Sequence, residues 1–371
     1  MSLNIAVIGA GPAGLAAAAE GVRQGMKVTL WERGKVGESI RCAEGYIDPK
    51  GVLDLPENGL RFKVQAICFR AHKEYKLDTR RIRLWITDRR TWQRQMAADL
   101  LQRGVNLREG WMISRDNLPS LCREYDWIID ASGVPAVTSY IHGFHDFYLP
   151  HSLVAAQYII RDDFSPLRGQ IKVGLSQEYL GYFWIFPKDD TTASVGLAYL
   201  SEDYGPRQTR NIWKQLRKEI VTEGLAQGRV LARSGGLCPA KLLPRLVWDN
   251  VVLVGDAAGL ASPLHGGGID TALLSGREAV AAIGRGEIAG YRQRLEKILG
   301  PRLSLEKQLI RHWADSGMQE VERLLAGVES LCQGRGIGPL LPLSRDLLRK
   351  GYCFLRYWQR LGGVRAGEYD S

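Results

Sequence analysis

No two of the six cysteines form a C-x-x-C pair: Cys42, Cys68, Cys122, Cys238, Cys332 and Cys353 are scattered along 371 residues. This spacing offers neither a metal site nor a disulfide framework, and it points to free thiols in a reducing compartment. No apolar run approaches the ~20 residues that a membrane span requires, so any contact with a membrane is expected on its surface. The first residues lack the charged and apolar regions of a signal peptide, which adds to a cytoplasmic expectation. Zinc-finger spacing and a basic low-complexity tail are also missing, so no nucleic-acid partner is expected. A surplus of positive charge does exist, 50 Lys+Arg against 40 Asp+Glu. It suits an anionic partner such as a pyrophosphate-bearing cofactor or substrate, or an acidic membrane surface. Spread as it is along the chain, it is equally the charge of a solvated basic surface.

What the chain does contain is an α/β opening. Residues 3–8 read as a buried strand, Pro12–Gln24 as an Ala-rich helix and Lys27–Glu32 as a second strand, hence a parallel sheet. Lys63–Arg70, Lys73–Thr79 and Arg83–Thr87 alternate as short strands of a small antiparallel excursion. Thr91–Gln102 has helical spacing and Tyr125–Asp130 returns to a buried strand. Between about Ser152 and Leu200 four β-rich runs suggest one antiparallel sheet, followed by an amphipathic helix over Gln208–Thr222. Asn250–Val254 is a buried strand, Gly268–Ile283 a helix, and everything from Tyr291 on is mostly helical, with breaks over Gly334–Pro342. The expected architecture is a Rossmann-like domain interrupted by an antiparallel β-sheet domain, with a helical C-terminal region. Its boundaries read as 1–62, 88–140 and 230–290 for the first, 63–87 and 141–229 for the second, and 291–371 for the third.

Gly9-Ala10-Gly11-Pro12-Ala13-Gly14 is G-x-G-x-x-G placed between a strand and a helix. Gly9 permits the tight turn, Gly11 lets backbone amides approach a pyrophosphate, and Gly14 lets the helix pack on the strand. Glu32 ends the next strand, where a carboxylate takes ribose hydroxyls and favours FAD or NAD over NADP. The choice of FAD rests on residues far downstream. Val251–Val254 runs into Gly255-Asp256-Ala257-Ala258-Gly259, then Pro263 and Gly266-Gly267-Gly268-Ile269 open another helix. Asp256 can accept hydrogen bonds from a ribityl chain, and the second helix N-terminus can face negative charge on a reduced flavin.

These segments resemble the FAD-dependent oxidoreductase superfamily that includes the aromatic hydroxylases, and more narrowly the geranylgeranyl reductase family. The narrower resemblance is carried by Glu38-Ser39, by Cys42-Ala43-Glu44-Gly45, by Tyr182-Phe183-Trp184-Ile185-Phe186-Pro187-Lys188, and by Ser234-Gly235-Gly236 with Pro239. The block from Gly255-Asp256 to Ser275-Gly276 completes it, and the whole spans roughly residues 3–285. The resemblance implies reduction of isoprenoid C=C bonds by a reduced flavin. It places Arg33 at the adenosine or diphosphate part, Arg89 at the phosphates and Cys42 beside the flavin. For Arg89 a solvated charge among its arginine neighbours stands as the other reading.

Tyr182, Trp184 and Phe186 alternate along one strand and share a face, either a tunnel wall or sheet core. Cys42 reads as a thiol that positions the flavin or relays a proton, or as a small buried side chain. His265 departs from the family, which commonly has a small or hydroxyl residue before the Gly triplet. An imidazole there would bond the flavin pyrimidine ring or donate a proton to substrate. The stretch Arg345–Arg365 mixes aromatic and basic residues, as an interfacial helix does, or a helix on the tunnel mouth. The electron donor, NADPH or ferredoxin, is left open. A flavin monooxygenase or halogenase and an electron-transfer flavoprotein to quinone are the competing functions; the latter lacks the clustered cysteines of an iron–sulfur region.

Overall fold

The chain begins with β1 (Asn4–Ile8), α1 (Pro12–Arg23) and β2 (Lys27–Glu32), the expected βαβ opening. The computed structural model describes residues 2–38, 40–48, 56–176, 178–199, 211–334 and 345–361. Pro12 starts α1 at the one place where a missing N–H costs nothing. Gly9 turns the chain at φ +97°, and a Cβ there would lie 2.5 Å from the Ala131 carbonyl oxygen. At Gly14 a Cβ would meet the Gly9 carbonyl oxygen at 1.8 Å, so the helix sits as close to the strand as the motif suggested.

Next come β3 (Gly45–Ile47), β4 (Leu60–Lys63), β5 (Ala66–Arg70), β6 (Glu74–Asp78) and β7 (Leu84–Thr87). The sequence suggested one small excursion here, but the strands divide between two sheets. β3, β7 and β4 form a three-stranded antiparallel sheet, while β5 and β6 join a larger one. The chain changes sheets between neighbours: Val64 N–H bonds to Leu84 O, and Gln65 N–H to Gly169 O. α2 (Arg89–Gln102) starts two residues earlier than its periodicity indicated, because the Asp88 side chain caps it by accepting from the Thr91 amide.

β8 (Asn106–Glu109), α3 (Leu118–Glu124), β9 (Trp127–Asp130) and α4 (Ser139–His142) follow. Then come β10 (Ser152–Arg161), β11 (Gln170–Leu175), β12 (Gly181–Pro187) and β13 (Thr192–Tyr199). α5 (Ile212–Thr222) is shorter than the helix expected from Gln208, whose residues 208–210 lie outside the described residues. β14 (Arg229–Pro239), β15 (Val247–Trp248) and β16 (Val251–Leu253) complete the strands. The six-stranded sheet runs β15-β16-β9-β1-β2-β8, parallel except for the β15–β16 pair. The seven-stranded sheet runs β14-β10-β13-β12-β11-β5-β6. It is antiparallel except for β5 beside β11. The sequence reading placed residues 230–290 in the Rossmann part, whereas β14 is the edge of the large sheet, paired along β10. Its small and polar residues, Arg233-Ser234-Gly235-Gly236, show none of the alternation that marks a half-buried strand.

α6 (Ile269–Gly284) lies against α1 so closely that a Cβ on Gly276 would meet the Ala13 carbonyl oxygen at 2.1 Å. α7 (Tyr291–Asp315), α8 (Met318–Cys332) and α9 (Arg345–Arg360) form the helical C-terminal region. The breaks expected over Gly334–Pro342 lie, from residue 335, outside the described residues, as do 362–365 of the expected aromatic–basic stretch. Leu309, Leu325, Tyr357 and Trp358 of these helices share one core with Leu77, Leu84 and Ile171. The helices therefore pack against the large sheet and the small one. No described helix is long and apolar enough to cross a membrane.

Candidate cofactor and substrate site

One cavity of about 1040 Å³ runs from the N-terminal glycine loop to the C-terminal helices. At one end Gly9, Ala10, Gly11 and Ala13 face it, and a Cβ built on Gly11 meets nothing within 4 Å. The backbone there can be approached by a ligand. Neither α1 nor α6 has a side-chain cap at its N-terminus, so both helices present uncapped amides to the cavity. Glu32 fastens the first loop, its carboxylate accepting from Ala10 N–H at 2.8 Å and Gly34 N–H at 3.0 Å. Each oxygen keeps a lone pair for ribose hydroxyls. Arg33 also borders the cavity and is exposed.

Arg89 is brought to the site. Its Nε donates to Gln93 Oε1 at 3.2 Å, and Gln93 in turn donates to the Ala10 carbonyl at 3.0 Å. Arg89 acts electrostatically on Asp256, which lies on the cavity wall after β16. Burial raises the Asp256 carboxyl to about 6, and Arg89 opposes this only in part. Gly266, Gly267, Gly268 and Ile269 line the same wall. An acidic group at each end, a basic one between and two uncapped helix N-termini fit the charge pattern of an extended dinucleotide, so the residues present fit FAD.

Tyr182, Trp184 and Phe186 share a face of β12 and all three line the cavity, with ring centroids 5.7 and 6.3 Å apart along the strand. The Tyr182 hydroxyl donates to the His265 carbonyl at 2.6 Å, joining strand to glycine loop. Trp184 Nε1 donates to Ser194 Oγ, Ser194 donates to Gln157, and Gln157 donates to Ser234 Oγ and to the Cys42 carbonyl. This chain of polar groups fixes the Cys42 loop from beneath. Above it, the buried Glu44 carboxylate pairs with Lys188, the last residue of the aromatic motif, and accepts from Arg89 N–H. Cys42 is half-buried at the cavity, its sulfur accepting from Glu44 N–H at 3.2 Å. Cys238 faces the same cavity, its thiol pushed up to about 12 by burial.

His265 lines the cavity with about a third of its side chain open. Burial lowers its pKa, while Glu306 pulls the other way. The sequence reading did not include Glu306: at i, i+4 from Arg302 it looks like a surface helix pair, yet it is fully buried. Beyond His265 the lining is mostly apolar, with Leu309, Leu325, Phe354 and Trp358 beside the polar His312, Ser316 and Lys350. Of the aromatic residues of α9, Tyr357 and Trp358 are buried and Phe354 lines the cavity, while Tyr352 is exposed. The outward face carries Arg349, Tyr352, Arg356 and Arg360.

Residues 7–77 match the family described as NAD(P)-binding Rossmann-like domain. The chain is 27% identical over 369 residues to digeranylgeranylglycerophospholipid reductase 1 of Methanopyrus kandleri, covering 89% of this chain and 96% of that protein. The corresponding reductase of Methanocella arvoryzae is 26% identical, covering 88% and 92%. Among solved structures, a geranylgeranyl bacteriochlorophyll reductase-like protein of Thermoplasma acidophilum superposes with a TM-score of 0.71 at 19% identity, over 97% of this chain and 99% of that one. CmlS, a flavin-dependent halogenase, superposes with a TM-score of 0.64 at 17% identity, over 97% and 78%. The chain thus opens with a Rossmann-type nucleotide-binding domain, has residues that fit FAD, and is similar over most of its length to digeranylgeranylglycerophospholipid reductases.

Proposed function

We propose that this enzyme reduces C=C double bonds in the isoprenoid chains of a lipid. The observation that carries the proposal is the continuity of the cavity: the glycine loops that fit FAD and the apolar space walled by α7, α8 and α9 are one volume. The names of the relatives, digeranylgeranylglycerophospholipid reductases, support the same substrate class. An isolated alkene is unactivated, so its reduction demands exclusion of water, a fixed position and a proton for the second carbon. Bound and reduced, FAD supplies the hydride. Tyr182, Trp184 and Phe186 form the wall that holds the alkene in place, and the apolar residues beyond them keep water out. His265 and Cys42, the proton-bearing side chains retained from the sequence reading, handle the proton. Glu32 and Asp256 bind the two polyol parts of the cofactor, Arg33 serves its adenosine or diphosphate part, and Arg89 serves its phosphates.

The reductant, NADPH or ferredoxin, and a peripheral position on an anionic membrane belong to the same proposal. For the latter the basic outer face of α9, directly behind the cavity wall, is the support. The test is a visible spectrum of purified protein, mass spectrometry of its organic extract, and mixing of dithionite-reduced enzyme with geranylgeranyl lipids. A flavin spectrum, a co-purified polyprenyl compound and flavin reoxidation by the lipid are expected. Flavin without lipid, and no reoxidation, would shift the function to a monooxygenase or halogenase.

A further inference from the structure

Behind His265 lies a cluster of charged groups that no cofactor contact explains. Glu306 of α7 is fully buried; its Oε2 accepts from Ser262 Oγ at 2.7 Å, and its Oε1 lies 3.4 Å from Arg302 Nε and 3.9 Å from His265 Nε2. The Tyr357 hydroxyl of α9 also donates to Glu306, and Arg302 pairs with Asp270 at the start of α6. Two carboxylates and one guanidinium leave the cluster one negative charge in excess, in a place where uncompensated charge is costly. A protonated imidazole at His265 would balance it. The other ring nitrogen is held the opposite way: Nδ1 accepts the Gly267 N–H at 3.1 Å, a bond only the neutral ring can make. His265 is thus set between an anchor that favours its charged form and one that favours its neutral form.

We propose that Glu306 is a positioning residue that makes His265 the proton donor of the alkene reduction, by stabilising the charged ring and fixing the Nε2 proton toward α7. The inference rests on the isoprenoid-reduction reading above. In the charged ring Nδ1 carries the second proton and the Gly267 bond is given up. A hydride, which bound reduced FAD would supply, adds to one alkene carbon; the π bond breaks, and its electron pair takes the Nδ1 proton at the other carbon as the Nδ1–H bond breaks. Two C–H bonds form, the ring returns to neutral, and the Gly267 amide reclaims Nδ1. Water at the one-third-open ring restores the proton when product leaves. The charged groups acting on His265 are Glu306 and Arg302 of α7 and Asp270 of α6; Tyr357 of α9 reaches the cluster through Glu306, the Tyr182 hydroxyl of β12 meets the His265 carbonyl, and Cys238 of β14 lies beside Gly266.

Glu306→Gln separates shape from charge, because the amide oxygen can still accept from Ser262 while the negative charge is lost. In ¹⁵N-histidine NMR of the FAD-loaded protein, the His265 resonances, assigned by their loss in His265→Asn, should titrate about one pH unit or more lower in Glu306→Gln. Glu306→Asp should restore most of the shift. The pH profile of flavin reoxidation by a geranylgeranyl lipid should move down in parallel. An unmoved His265 midpoint in both Glu306→Gln and Glu306→Ala overturns the pairing. A shifted midpoint with an unmoved rate profile overturns the proton role. A shifted midpoint in an enzyme that reduces no alkene even as wild type refutes the isoprenoid reading instead, leaving the charge coupling in place.

Discussion

Gly11→Ala and Gly14→Ala differ by three positions in one motif and should fail in opposite ways. Gly11 has φ −75° and ψ −176°, an extended conformation that alanine adopts freely, and its Cβ would meet no protein atom within 4 Å. Replacing glycine at this helix-cap position costs up to ~1 kcal/mol. The stiffer unfolded chain returns ~0.4–1 kcal/mol, so the net change is about zero. The melting temperature of the cofactor-free protein should stay within about 2 °C. The methyl group instead enters the space where a pyrophosphate reaches the amides of α1. Losing one or two hydrogen bonds to a charged group, at ~1.5–3 kcal/mol each, weakens FAD binding by between about tenfold and about ten-thousandfold. In Gly14→Ala the Cβ would sit 1.8 Å from the Gly9 carbonyl oxygen, which forces backbone apart. That should cost ~1–3 kcal/mol or more and lower the melting temperature before any cofactor is added. Calorimetry of the cofactor-free proteins and FAD titration followed by tryptophan fluorescence measure both quantities. Wild-type FAD affinity in Gly11→Ala, or equal melting losses in the two variants, would refute the reasoning.

Asp256, raised to about 6 without cofactor, should lose protons when ribityl hydroxyls donate to it. FAD affinity should therefore rise between pH 5 and 6 by up to about tenfold per unit, flatten above pH 6 to 7, and become pH-independent in Asp256→Asn; equilibrium titrations check this. For the free protein the sign is reversed: a carboxyl raised in the fold stabilises least once ionised, so Asp256→Asn should melt higher than wild type above pH 6. Lys188→Met leaves the buried Glu44 carboxylate without its ammonium. It should cost about 3–5 kcal/mol in denaturant unfolding, with much of that recovered in Lys188→Met/Glu44→Gln. Ser194→Ala strands the buried Trp184 indole N–H and should cost ~1–3 kcal/mol. Val321→Trp, on the apolar cavity wall, should depress reoxidation by a geranylgeranyl lipid more than by a geranyl one, with an unchanged flavin spectrum.

The cofactor half of the site was legible because its signals are local. A strand, a G-x-G-x-x-G turn and a carboxylate at Glu32 lie within one βαβ unit, and Asp256 follows closely on a strand that its own hydrophobicity reveals. The alternation of Tyr182, Trp184 and Phe186 likewise survives folding, since period two sets the face directly. Glu306 was not legible: whether an i, i+4 charged pair sits on the surface depends on packing of α6, α7 and α9, which no local pattern encodes. Nor was the outcome for α9, whose amphipathic pattern fits a membrane or a protein wall equally. Lys188 stands in the sequence only as the end of the Tyr182–Lys188 motif and its partner Glu44 within Cys42–Gly45, and only the fold joins them. The hydroxyl of Ser194 and the amide of Gln157 sit in β-strands as unremarkable polar residues until their bond to Trp184 and the Cys42 loop is seen.

The apolar end of the cavity is walled by strand residues such as Ile67, Phe69 and Ile171 and by helices that come after the second glycine loop in the chain. Under the proposed function, only the helical share of the wall that would gauge chain length is encoded apart from the glycine loops. Each turn gained or lost in α8 or α9 moves the end stop by about 5.4 Å without touching the loops of Gly11 or Asp256. Exchanging this tail between homologues is then a direct route to enzymes of different chain-length preference, with the chemistry left as it stands.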